Sequence, residues 1–443
     1  MSFPRYPEYR DSGVEWLGEV PGHWAVTPVS YRYEVLLGKM LDEKRITGKH
    51  LAPYLRNVDV QWDRINTEDL PQMDFAGEDL ARYTLAHGDL LVCEGGEVGR
   101  AAMWRGELAE CYYQKALHRL RRRDQDADFS RFMFYVLRTA ASRGVFESSG
   151  GKSTIAHLTA EALRRHRFAF PPSQEQAAVV AFLDRETAKI DALVEEQKRL
   201  IELLKEKRQA VISQAVTKGL DPNVPMKDSG VEWLEEVPAH WDLGPLKRFW
   251  SVTDCKHITA EFVEDGLPLA SIREVQGWTV NLKEAKQTTQ FFYDQLIEGG
   301  REPMPGDIIF TRNATVGEAA LVPDDSPTFA MGQDVCLLRR RMANYSPDYM
   351  LHQIKSDVIR IQLNGVMVGS TFKRVNVDEI RSFIVCIPPV HEQREIASRL
   401  CAEATRFHEL IEEAMTATLL LQERRAALIS AAVTGKIDVR KAA

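Results

Sequence analysis

The chain has 443 residues, of which 44% are hydrophobic and 27% charged, with a formal net charge of −7. This composition is that of a globular protein of two or three domains, and no apolar run approaches the roughly 18 residues of a membrane-spanning helix. The N-terminus lacks the apolar core of a signal peptide, and six scattered cysteines without a CxxC pair argue against a structural zinc site. We therefore expect a cytoplasmic protein with no membrane segment.

The chain is an internal duplication with an offset of about 217 residues. The segment DSGVEWLGEVPGHW at residues 11–24 returns as DSGVEWLEEVPAHW at residues 228–241, with two differences. Further matching pairs follow in the same order: GDLLVCEGGEVGRAA with GDIIFTRNATVGEAA, LRRR with LRRR, PPSQEQ with PPVHEQ, and AVISQAVTKGLD with ALISAAVTGKID. A duplication of this extent predicts two halves with the same architecture.

Each half opens with a segment of mixed secondary structure. Short apolar runs bounded by Gly, Pro and Asp, such as Leu90–Cys93 and Ile308–Thr311, indicate strands. The segments FSRFMFYVLRTAASR and DYMLHQIKSDVIRIQL carry the apolar spacing of helices. We expect two mixed α/β domains, over residues 1–170 and 221–387.

Each half then continues into a long helix. Pro171 and Pro172 end the preceding strand, and Ser173 with Gln176 predicts an N-cap and a capping box. Apolar residues recur at helical spacing, at Ile190, Leu193, Leu200, Leu204, Val211 and Ala215 in the first copy and at Phe407, Leu410, Ala414, Ala417, Leu421, Leu428 and Ala432 in the second. This spacing predicts coiled-coil helices over residues 171–220 and 388–443, with a long helix packed on a globular core as the alternative.

These elements predict an α+β fold, in which a tandem-duplicated chain forms two mixed α/β domains separated by two long helices. If the helices pair as an antiparallel coiled coil, the chain has pseudo-two-fold symmetry, and about 45 residues at ~1.5 Å rise separate the domains by roughly 65 Å. Four tryptophans at equal places in the halves predict buried anchors, with partner docking as the alternative: Trp16, Trp24, Trp233 and Trp241. His23 and His240 share this duplication, which argues against a catalytic role.

A glycine-rich stretch, ESSGGKSTIAH, raises the question of a nucleotide-binding P-loop. That pattern needs a glycine where Phe146 stands and a preceding strand, whereas the preceding residues are typical of a helix. Glycine and hydroxyl residues near basic ones can still hold a DNA phosphate, with a plain glycine turn as the alternative. The candidates are Lys152, Ser153 and Thr154 in the first half and Ser370, Thr371, Lys373 and Arg374 in the second.

Positive charge is concentrated late in each globular domain. Residues 114–167 hold 12 basic and 5 acidic residues, and residues 333–381 hold 8 and 5. Two basic regions on an acidic chain fit one face against DNA and another against protein partners, with an ordinary solvated surface as the alternative.

The ordered set of duplicated motifs resembles one protein family. The repeated DSGVEWLGEVPGHW motif, GDLL followed by spaced glycines, PP..EQ leading into a long helix, and the AVISQAVTKGLD tail are similar to the specificity subunit of type I restriction-modification systems. The resemblance covers almost the whole chain, in the order recognition domain, conserved helix, recognition domain, conserved helix. No single motif is specific, whereas the duplicated, ordered set is.

The resemblance implies a DNA-reading protein without catalytic activity. In this family each target recognition domain reads one half of a bipartite, asymmetric site in double-stranded DNA, and the paired helices set the spacer. Two adenine-N6 methyltransferase subunits dock on the helices, and two ATP-driven motor-nuclease subunits can join. We therefore expect no catalytic, cofactor or metal site here, and FPPS and IPPV indeed lack the first residue of the methyltransferase [DN]PP[YF] tetrad.

Divergence between the halves indicates which residues read DNA. The halves differ across about residues 30–87 and 247–305, and in CEGGEVGR against TRNATVGE. Arg, Asn and Gln are the usual readers of guanine and adenine. The candidates for DNA contact are Arg56, Asn57, Gln61, Gln114 and Lys115 in the first domain and Arg273, Gln276, Arg312, Asn313 and Gln333 in the second.

Two other functions stay open on the sequence alone. One is a coiled-coil adaptor without DNA reading, which leaves the divergent segments and the basic regions unexplained. The other is a fused DNA methyltransferase or nuclease, which requires a nucleotide- or metal-binding constellation. Glu94 and Glu97 are replaced by Arg312 and Thr315 in the other half, which weakens any shared nuclease site.

Overall fold

The chain folds into two compact units. A computed structural model describes residues 3–41, 47–147, 157–367 and 374–440. The first unit comprises residues 1–197 and 416–443, and the second comprises residues 198–415. Each unit therefore holds one globular domain, the beginning of the long helix that follows it and the end of the other long helix. Within the described ranges, no helix is long and apolar enough to cross a bilayer.

The strands are short and correspond between the halves. Those of the first half are β1 (Tyr9–Asp11), β2 (Glu19–Pro21), β3 (Ala25–Pro28), β4 (Tyr33–Leu37), β5 (Leu51–Leu55), β6 (Val60–Gln61), β7 (Arg64–Ile65), β8 (Gln72–Asp74), β9 (Leu90–Cys93), β10 (Ala101–Met103), β11 (Tyr112–Tyr113), β12 (Leu117–Arg122) and β13 (Arg167–Phe170). Those of the second half are β14 (Met226–Asp228), β15 (Glu236–Pro238), β16 (Asp242–Pro245), β17 (Trp250–Asp254), β18 (Phe262–Val263), β19 (Leu267–Ala270), β20 (Gln287–Thr288), β21 (Ile308–Thr311), β22 (Ala319–Leu321), β23 (Ala330–Met331), β24 (Val335–Arg340) and β25 (Ile384–Ile387).

Two helices are much longer than the others. The helices are α1 (Val29–Arg32), α2 (Glu78–Tyr83), α3 (Ser130–Ser142), α4 (Ala160–Arg165), α5 (Ser173–Lys218), α6 (Gln290–Ile297), α7 (Pro347–Ile354), α8 (Asp357–Met367), α9 (Val377–Ser382) and α10 (Val390–Val433). Short 3-10 helices lie at Asn57–Asp59, Leu246–Arg248 and Ile272–Val275. The long helices α5 and α10 have 46 and 44 residues.

The two globular domains share their sheet topology. An antiparallel sheet runs β10-β9-β12-β4 in the first domain and β22-β21-β24-β17 in the second. A second sheet runs β11-β5-β8 and β23-β19-β20-β18, with β11 parallel to β5 and β23 parallel to β19. The pairs β3–β13 and β16–β25 join the start of each domain to the strand just before its long helix. The duplication read from the sequence is thus a duplication of fold.

The central strand of each main sheet is buried on both faces. In β9, Leu90 and Val92 join the cluster that includes helix α3, whereas Leu91 and Cys93 join a cluster on the opposite face. In β21, alternate residues divide between two clusters in the same way. The side-chain period of two in a strand explains this division. The two strands predicted from short apolar runs are confirmed.

Within each unit, the beginning of one long helix packs beside the end of the other. In the first unit Leu183 of α5 shares a core with Val433 of α10, and further along Asp191 accepts a hydrogen bond from Arg425 Nε at 2.7 Å. In the second unit Ile212 of α5 shares a core with Ile396 of α10. In the first unit, residue numbers rise along α5 as they fall along α10, so the segments there are antiparallel.

The apolar seam differs in part from the predicted one. Ile190 is 6% exposed, but Leu193 is 50% exposed and the neighbouring Val194 is 7% exposed. Leu200 and Leu410 are also exposed. The seam therefore advances by four residues from Ile190, to Val194, where a spacing of three was expected.

The predicted capping box at the start of α5 is not formed. The Ser173 hydroxyl donates to the carbonyl of Asp126, and Gln176 is fully buried. The Gln176 amide donates to the Pro171 carbonyl at 3.0 Å and accepts the Phe129 N–H at 3.0 Å. The side chain therefore fixes the helix start to the segment before α3, which satisfies backbone groups that would otherwise be buried without a partner.

Candidate nucleic-acid interface

Two neighbouring segments of each domain carry most of the predicted DNA contacts. One is the loop after the central strand, residues 93–100 and 311–318, which we call the first and second glycine loops. The other is the 3-10 turn at Asn57–Asp59 and Ile272–Val275. An exposed glutamine follows the turn in both domains. In the first domain it is Gln61, which comes after Val60, and in the second it is Gln276, which comes directly after the turn.

A buried acid organises each turn. In the first domain the Asp59 carboxylate accepts the backbone N–H of Arg56 at 2.7 Å and two bonds from its guanidinium at 2.9 and 2.8 Å. In the second, Glu274 accepts the backbone N–H of Ser271 at 2.9 Å. The charge-assisted bonds raise the pKa of Arg56 and occupy much of its donor capacity. Arg56 therefore shapes the turn, and only part of its guanidinium faces solvent.

Asn57 ties the turn to the first glycine loop. Its amide Nδ2 donates to the Gly95 carbonyl at 2.8 Å, and its Oδ1 accepts from Arg100 Nη2 at 2.9 Å. Arg100 also donates to the Asn57 carbonyl at 3.0 Å. With both ends of the amide engaged inside the domain, Asn57 positions the loop.

The other first-domain candidates lie at the surface. Gln61 is exposed, and its amide donates to the Val58 carbonyl at 2.9 Å, which leaves its oxygen outward. Lys115 is exposed and Gln114 half-buried, next to Lys39 in a parallel bridge. The backbone of Gln114 approaches Gly38 so closely that a Cβ there would lie 2.3 Å from the Gln114 carbonyl oxygen.

In the second domain Gln276 takes the linking role. Its amide donates to the Ile272 carbonyl at 2.6 Å and to the Thr315 hydroxyl at 3.0 Å, so it connects the turn to the second glycine loop while remaining exposed. Arg273 is exposed, and its Nε donates to the buried Glu274 at 3.1 Å.

Arg312 does not reach the surface. It is 3% exposed, and its Nη1 lies 2.7 Å from the Asp254 carboxylate. Withdrawing this guanidinium would leave the carboxylate without its partner, and the burial of Arg312 argues against base reading by it. Asn313 is half-buried, accepts the Ala314 N–H and forms an isolated bridge with the exposed Arg374.

Gln333 remains exposed at the surface of the second domain. Its amide donates to the Thr259 hydroxyl at 3.4 Å. The remaining predicted phosphate contacts fall outside the described residues, namely Lys152, Ser153, Thr154, Ser370, Thr371 and Lys373.

The residues that flank the ranges 148–156 and 368–373 contact the glycine loops. Leu158 donates its N–H to the Glu94 carbonyl at 2.8 Å, and Val375 donates to the Arg312 carbonyl at 3.0 Å. On the N-terminal side of these two ranges, Phe146 packs against Gly99 and Leu363 packs against Gly317.

Much of the basic charge is used inside the domains. Arg121 pairs with Asp89 and Arg339 with Asp307, each at 2.6 Å. Other arginines of the two basic regions donate to backbone carbonyls, namely Arg122, Arg123, Arg164, Arg167, Arg340, Arg341 and Arg381. The charge counts therefore overstate the basic groups available to DNA.

A duplicated acid–aromatic anchor joins each domain to its long helix. Trp24 and Trp241 are each 1% exposed, and their indole N–H groups donate to Glu175 and Glu392, both at 2.9 Å. His23 and His240 contact the same carboxylates at 2.8 and 2.7 Å. In the first domain the Tyr6 hydroxyl also donates to Glu175. These contacts make Trp24 and Trp241 buried anchors; the half-buried Trp16 packs edge-on against Phe168 and Trp233 packs against the second core.

One group of potential metal ligands converges in the described part of the chain. Carboxylate, thiol and imidazole atoms of Asp254, Cys255 and His257 lie within 4.8 Å of one another. The guanidinium of Arg312 already contacts the Asp254 carboxylate, and burial raises the pKa of the Cys255 thiol. A fixed cation and a protonated thiol both disfavour metal binding, so we assign no metal here.

The comparisons with known proteins agree with the duplicated geometry. The family model of the type I restriction modification DNA specificity domain matches residues 38–203 and 300–413, which together exceed half of the chain. The chain belongs to the type I restriction-modification specificity subunits. It has two DNA-recognition domains, and its curated relatives are specificity subunits.

Relatives and solved structures match over nearly the whole specificity subunit. The putative type I restriction enzyme MjaX specificity subunit of Methanocaldococcus jannaschii is 22% identical over 439 residues, with 96% of each chain covered. The EcoKI specificity subunit of Escherichia coli K12 is 23% identical, covering 86% of this chain and 82% of that protein. The HsdS subunit from Thermoanaerobacter tengcongensis has a TM-score of 0.56 at 14% identity, covering 94% of this chain and 98% of that one.

A second solved structure is more similar. It comes from work on complex assembly and conformational transition of the type I R-M system, with a TM-score of 0.71, 14% identity, and coverage of 94% of this chain and 98% of that one. At such low identity these structures show the shared fold. The α+β architecture expected from the sequence is confirmed.

A glycine substitution should reveal how tightly the first glycine loop is held. Gly99 has φ of +83°, and a Cβ there would lie 2.4 Å from the buried Phe146 ring. Gly99→Ala should therefore lower the free energy of unfolding of the first domain by about 2–4 kcal/mol, from backbone strain and overpacking. Urea denaturation, monitored in each domain by hydrogen exchange, would measure this change in the free energy of unfolding. Gly365→Ala, at a helical site with no atom within 4 Å, should cost nothing.

A buried histidine in the second domain predicts a pH dependence of stability. Burial, and then the charge of Lys355, lower the pKa of His352 to about 4, against about 6.5 in an unfolded chain. The folded state thus favours the neutral ring. The contribution of His352 to the free energy of unfolding is therefore fully present above pH 6.5 and is lost as the pH falls toward 4. The loss is on the order of 3 kcal/mol. His352→Phe should reduce this slope between pH 4 and 6.5, and unchanged slopes would contradict the assignment.

Proposed function

We propose that this subunit reads a bipartite, asymmetric DNA site, one half with each globular domain, and performs no chemistry itself. The observation that carries the proposal is that the two domains share sheets, buried acids and helix anchors, yet differ at the turn and glycine loop. A scaffold that occurs in both domains supports the same task in each, namely DNA reading. The different side chains that it carries support the reading of different base sequences. Asn57 and Gln276 illustrate this, since each links turn to loop from a different position.

Exposed glutamines are the best placed base readers. Gln61 and Gln276 follow Val60 and Val275 at matched positions, and both are exposed. Gln61 uses one N–H inside the domain and keeps a donor and an acceptor, which suits adenine in the major groove. Gln276 donates both N–H groups inside the domain, so its oxygen is the group that can accept a hydrogen bond from a base. Lys115, Gln333 and Arg374 extend the exposed polar surface, and the six loop residues outside the described ranges are proposed as phosphate contacts.

Partner subunits are proposed to dock on the long helices. Helix α5 exposes Leu193, Leu200 and Leu203, and helix α10 exposes Leu410, Met415, Leu419 and Leu420. Exposed apolar residues at this density mark protein-binding surfaces. We propose that two adenine-N6 methyltransferase subunits cover them, that two motor-nuclease subunits join the complex, and that these partners bring the cofactors. The complex would act on DNA in the cytoplasm.

The proposed domains follow the repeat. Residues 1–170 and 221–387 would be the recognition domains, and residues 171–220 and 388–443 the conserved helices. An adaptor without DNA reading has no use for exposed glutamines at matched positions of otherwise divergent turns. A fused methyltransferase or nuclease finds no support in its specificity-subunit relatives.

Matched glutamine substitutions test the reading function. Reconstituted with its methyltransferase partners, the wild-type subunit should bind one bipartite site, and Gln61→Ala should reduce discrimination at one base of one half-site. We expect a loss of roughly 10- to 100-fold, since a bidentate base contact contributes about 1–3 kcal/mol. Gln276→Ala should act on the other half-site only. Equal binding of wild-type complex to all sequences would contradict the proposal.

A further inference from the structure

A tryptophan follows the turn in both domains, at places that differ by one residue. Trp62 comes directly after Gln61, and Trp278 comes one glycine later after Gln276. Neither belongs to the duplicated tryptophan anchor, and the segments around them otherwise diverge. Trp62 is half-buried at the edge of the first core and Trp278 is 41% exposed, so neither is a fully buried core residue.

In the first unit, Trp62 joins the glycine loop to helix α3. Its indole Nε1–H donates to the Glu97 carboxylate of the loop at 2.5 Å. Its ring packs edge-on against Phe134 with centroids 6.2 Å apart, and the Arg138 guanidinium lies 5.7 Å from the ring centroid. A hydrogen bond to a charged acceptor and a cation over the ring give the indole a defined orientation.

Helix α3 in turn contacts the long helix α5. The Tyr135 hydroxyl donates to Asp184 Oδ1 at 2.6 Å, and Arg131 Nε donates to the same oxygen at 2.9 Å. Arg131 also binds Asp63, the residue after Trp62. The path from loop to long helix therefore consists of direct contacts, from Glu97 through Trp62 and α3 to Asp184.

In the second unit a lysine on the helix side contacts both the tryptophan ring and the glycine loop. The Lys355 ammonium lies 5.4 Å from the Trp278 ring centroid and 3.4 Å from Glu318 of the second glycine loop. The His352 ring lies 4.7 Å from Trp278, and its Nε2 lies 3.7 Å from Cys401 Sγ on the long helix α10.

The matched positions make the repetition specific. With the offset of about 217 residues, Tyr135 corresponds to His352, Arg138 to Lys355 and Asp184 to Cys401. The contact that both units retain is a cation at one matched helix position beside the tryptophan ring, whereas the loop carboxylates Glu97 and Glu318 stand at unmatched positions. Retention of this contact between otherwise divergent segments indicates that the placement of the tryptophan is useful, since a purely local packing role would not require the same helix position.

We propose that Trp62 and Trp278 are positioning residues that fix each glycine loop against the helix-packed side of its own domain, and thereby set how strictly that domain discriminates its half-site. Neither residue is proposed to touch a base. The inference rests on the proposed function, and it deepens that function by naming what holds the reading loop in place. In physical terms, an unpositioned loop binds DNA less selectively because both correct and incorrect bases meet a mobile set of donors.

The test is the half-site discrimination of the methyltransferase complex. Binding constants would be measured for the intact bipartite site and for sites with one base changed in either half. Trp62→Leu should lower discrimination in the first half-site by roughly 10-fold, from loss of a charge-assisted bond and ring packing, with the second half-site unchanged. Trp278→Leu is the matched control and should do the converse.

Milder variants keep the test decisive if a leucine variant fails to fold. Trp62→Phe keeps the ring but removes the N–H, and Glu97→Gln keeps the loop residue's shape. We expect each to lower first-half discrimination about 3- to 10-fold, and the double variant to lower it no further than Trp62→Phe alone. Both variants act on the same hydrogen bond, since the first removes its donor and the second removes the charge of its acceptor. Additive losses, or lowered stability with discrimination intact in both halves, would overturn the inference. Absence of sequence-specific binding by the wild-type complex would instead overturn the proposed function.

Discussion

A chain truncated after residue 220 is expected to form a dimer and to specify a symmetric DNA site. The first unit is completed by the end of helix α10, where Ile429, Ala432 and Val433 are nearly fully buried in its core. Truncation removes them and exposes the apolar surface they covered. Losing two large aliphatic contacts costs about 3–6 kcal/mol, which is a large part of the stability of a domain.

The truncated chain carries its own replacement. Ile212, Ala215 and Val216 occupy the equivalent positions of helix α5 and are equally buried in the second unit. In a dimer the helix end of each copy can complete the globular domain of the other, so both half-sites become copies of the first. Analytical ultracentrifugation gives the mass, and methylation with the partner subunits gives the site. Val216→Asp should abolish dimerisation, and a stable monomer that specifies the original asymmetric site would refute the expectation.

Lengthening both long helices by one heptad is expected to move the target to a site with a longer spacer. Duplicating residues 191–197 and 409–415 inserts seven residues in each helix near the division between the units. Seven residues at ~1.5 Å rise add about 10 Å, which is about three base pairs at ~3.4 Å each. We expect methylation of the original site to fall by more than about 100-fold, since the two domains can no longer reach both half-sites together.

The control is the base sequence of the half-sites. A library of sites with every spacer length should recover the same half-site bases at a spacer about three base pairs longer. A heptad inserted in only one helix breaks the pairing with the other and should abolish specific methylation. Unchanged spacing with the double insertion, or altered half-site bases, would show that the helices do not act as a ruler.

The elements best predicted from the sequence are those that repeat. Strands β9 and β21 were predictable because their apolar runs occur twice, and the long helices because their period is maintained over many turns. The detailed seam was less predictable, since Val194 is buried where the apolar spacing indicated Leu193. Burial of that kind depends on tertiary contacts that a single period does not encode.

The candidate site was predictable by region and less so by residue. The divergent turn and glycine loop do lie together, but their arginines are largely used inside the domain, as with Arg312 on Asp254 and Arg56 on Asp59. Side-chain type alone cannot distinguish an arginine that reads a base from one that neutralises a buried acid.

The buried partners of the helix start were missed although the sequence contained a signal for them. Glu175 and Gln176 recur as Glu392 and Gln393 in the repeated PP..EQ motif. Interpreting Gln176 as a local cap overlooked that a residue retained in both copies can make long-range contacts, here to Phe129. The duplication of His23 and Trp24 was evident in the sequence, but their hydrogen-bond partner was not. The structure shows that this partner is Glu175.

The most direct test of the account is a map of N6-methyladenine in host DNA by single-molecule sequencing, with the gene intact and deleted. Deletion is expected to remove methylation from a single bipartite motif, and return of the gene is expected to restore it. Returning the Gln61→Ala variant should relax one base of one half of that motif. A methylome that is unchanged by deletion, in cells that still produce the methyltransferase partner, would contradict the claim that this chain selects the methylated site.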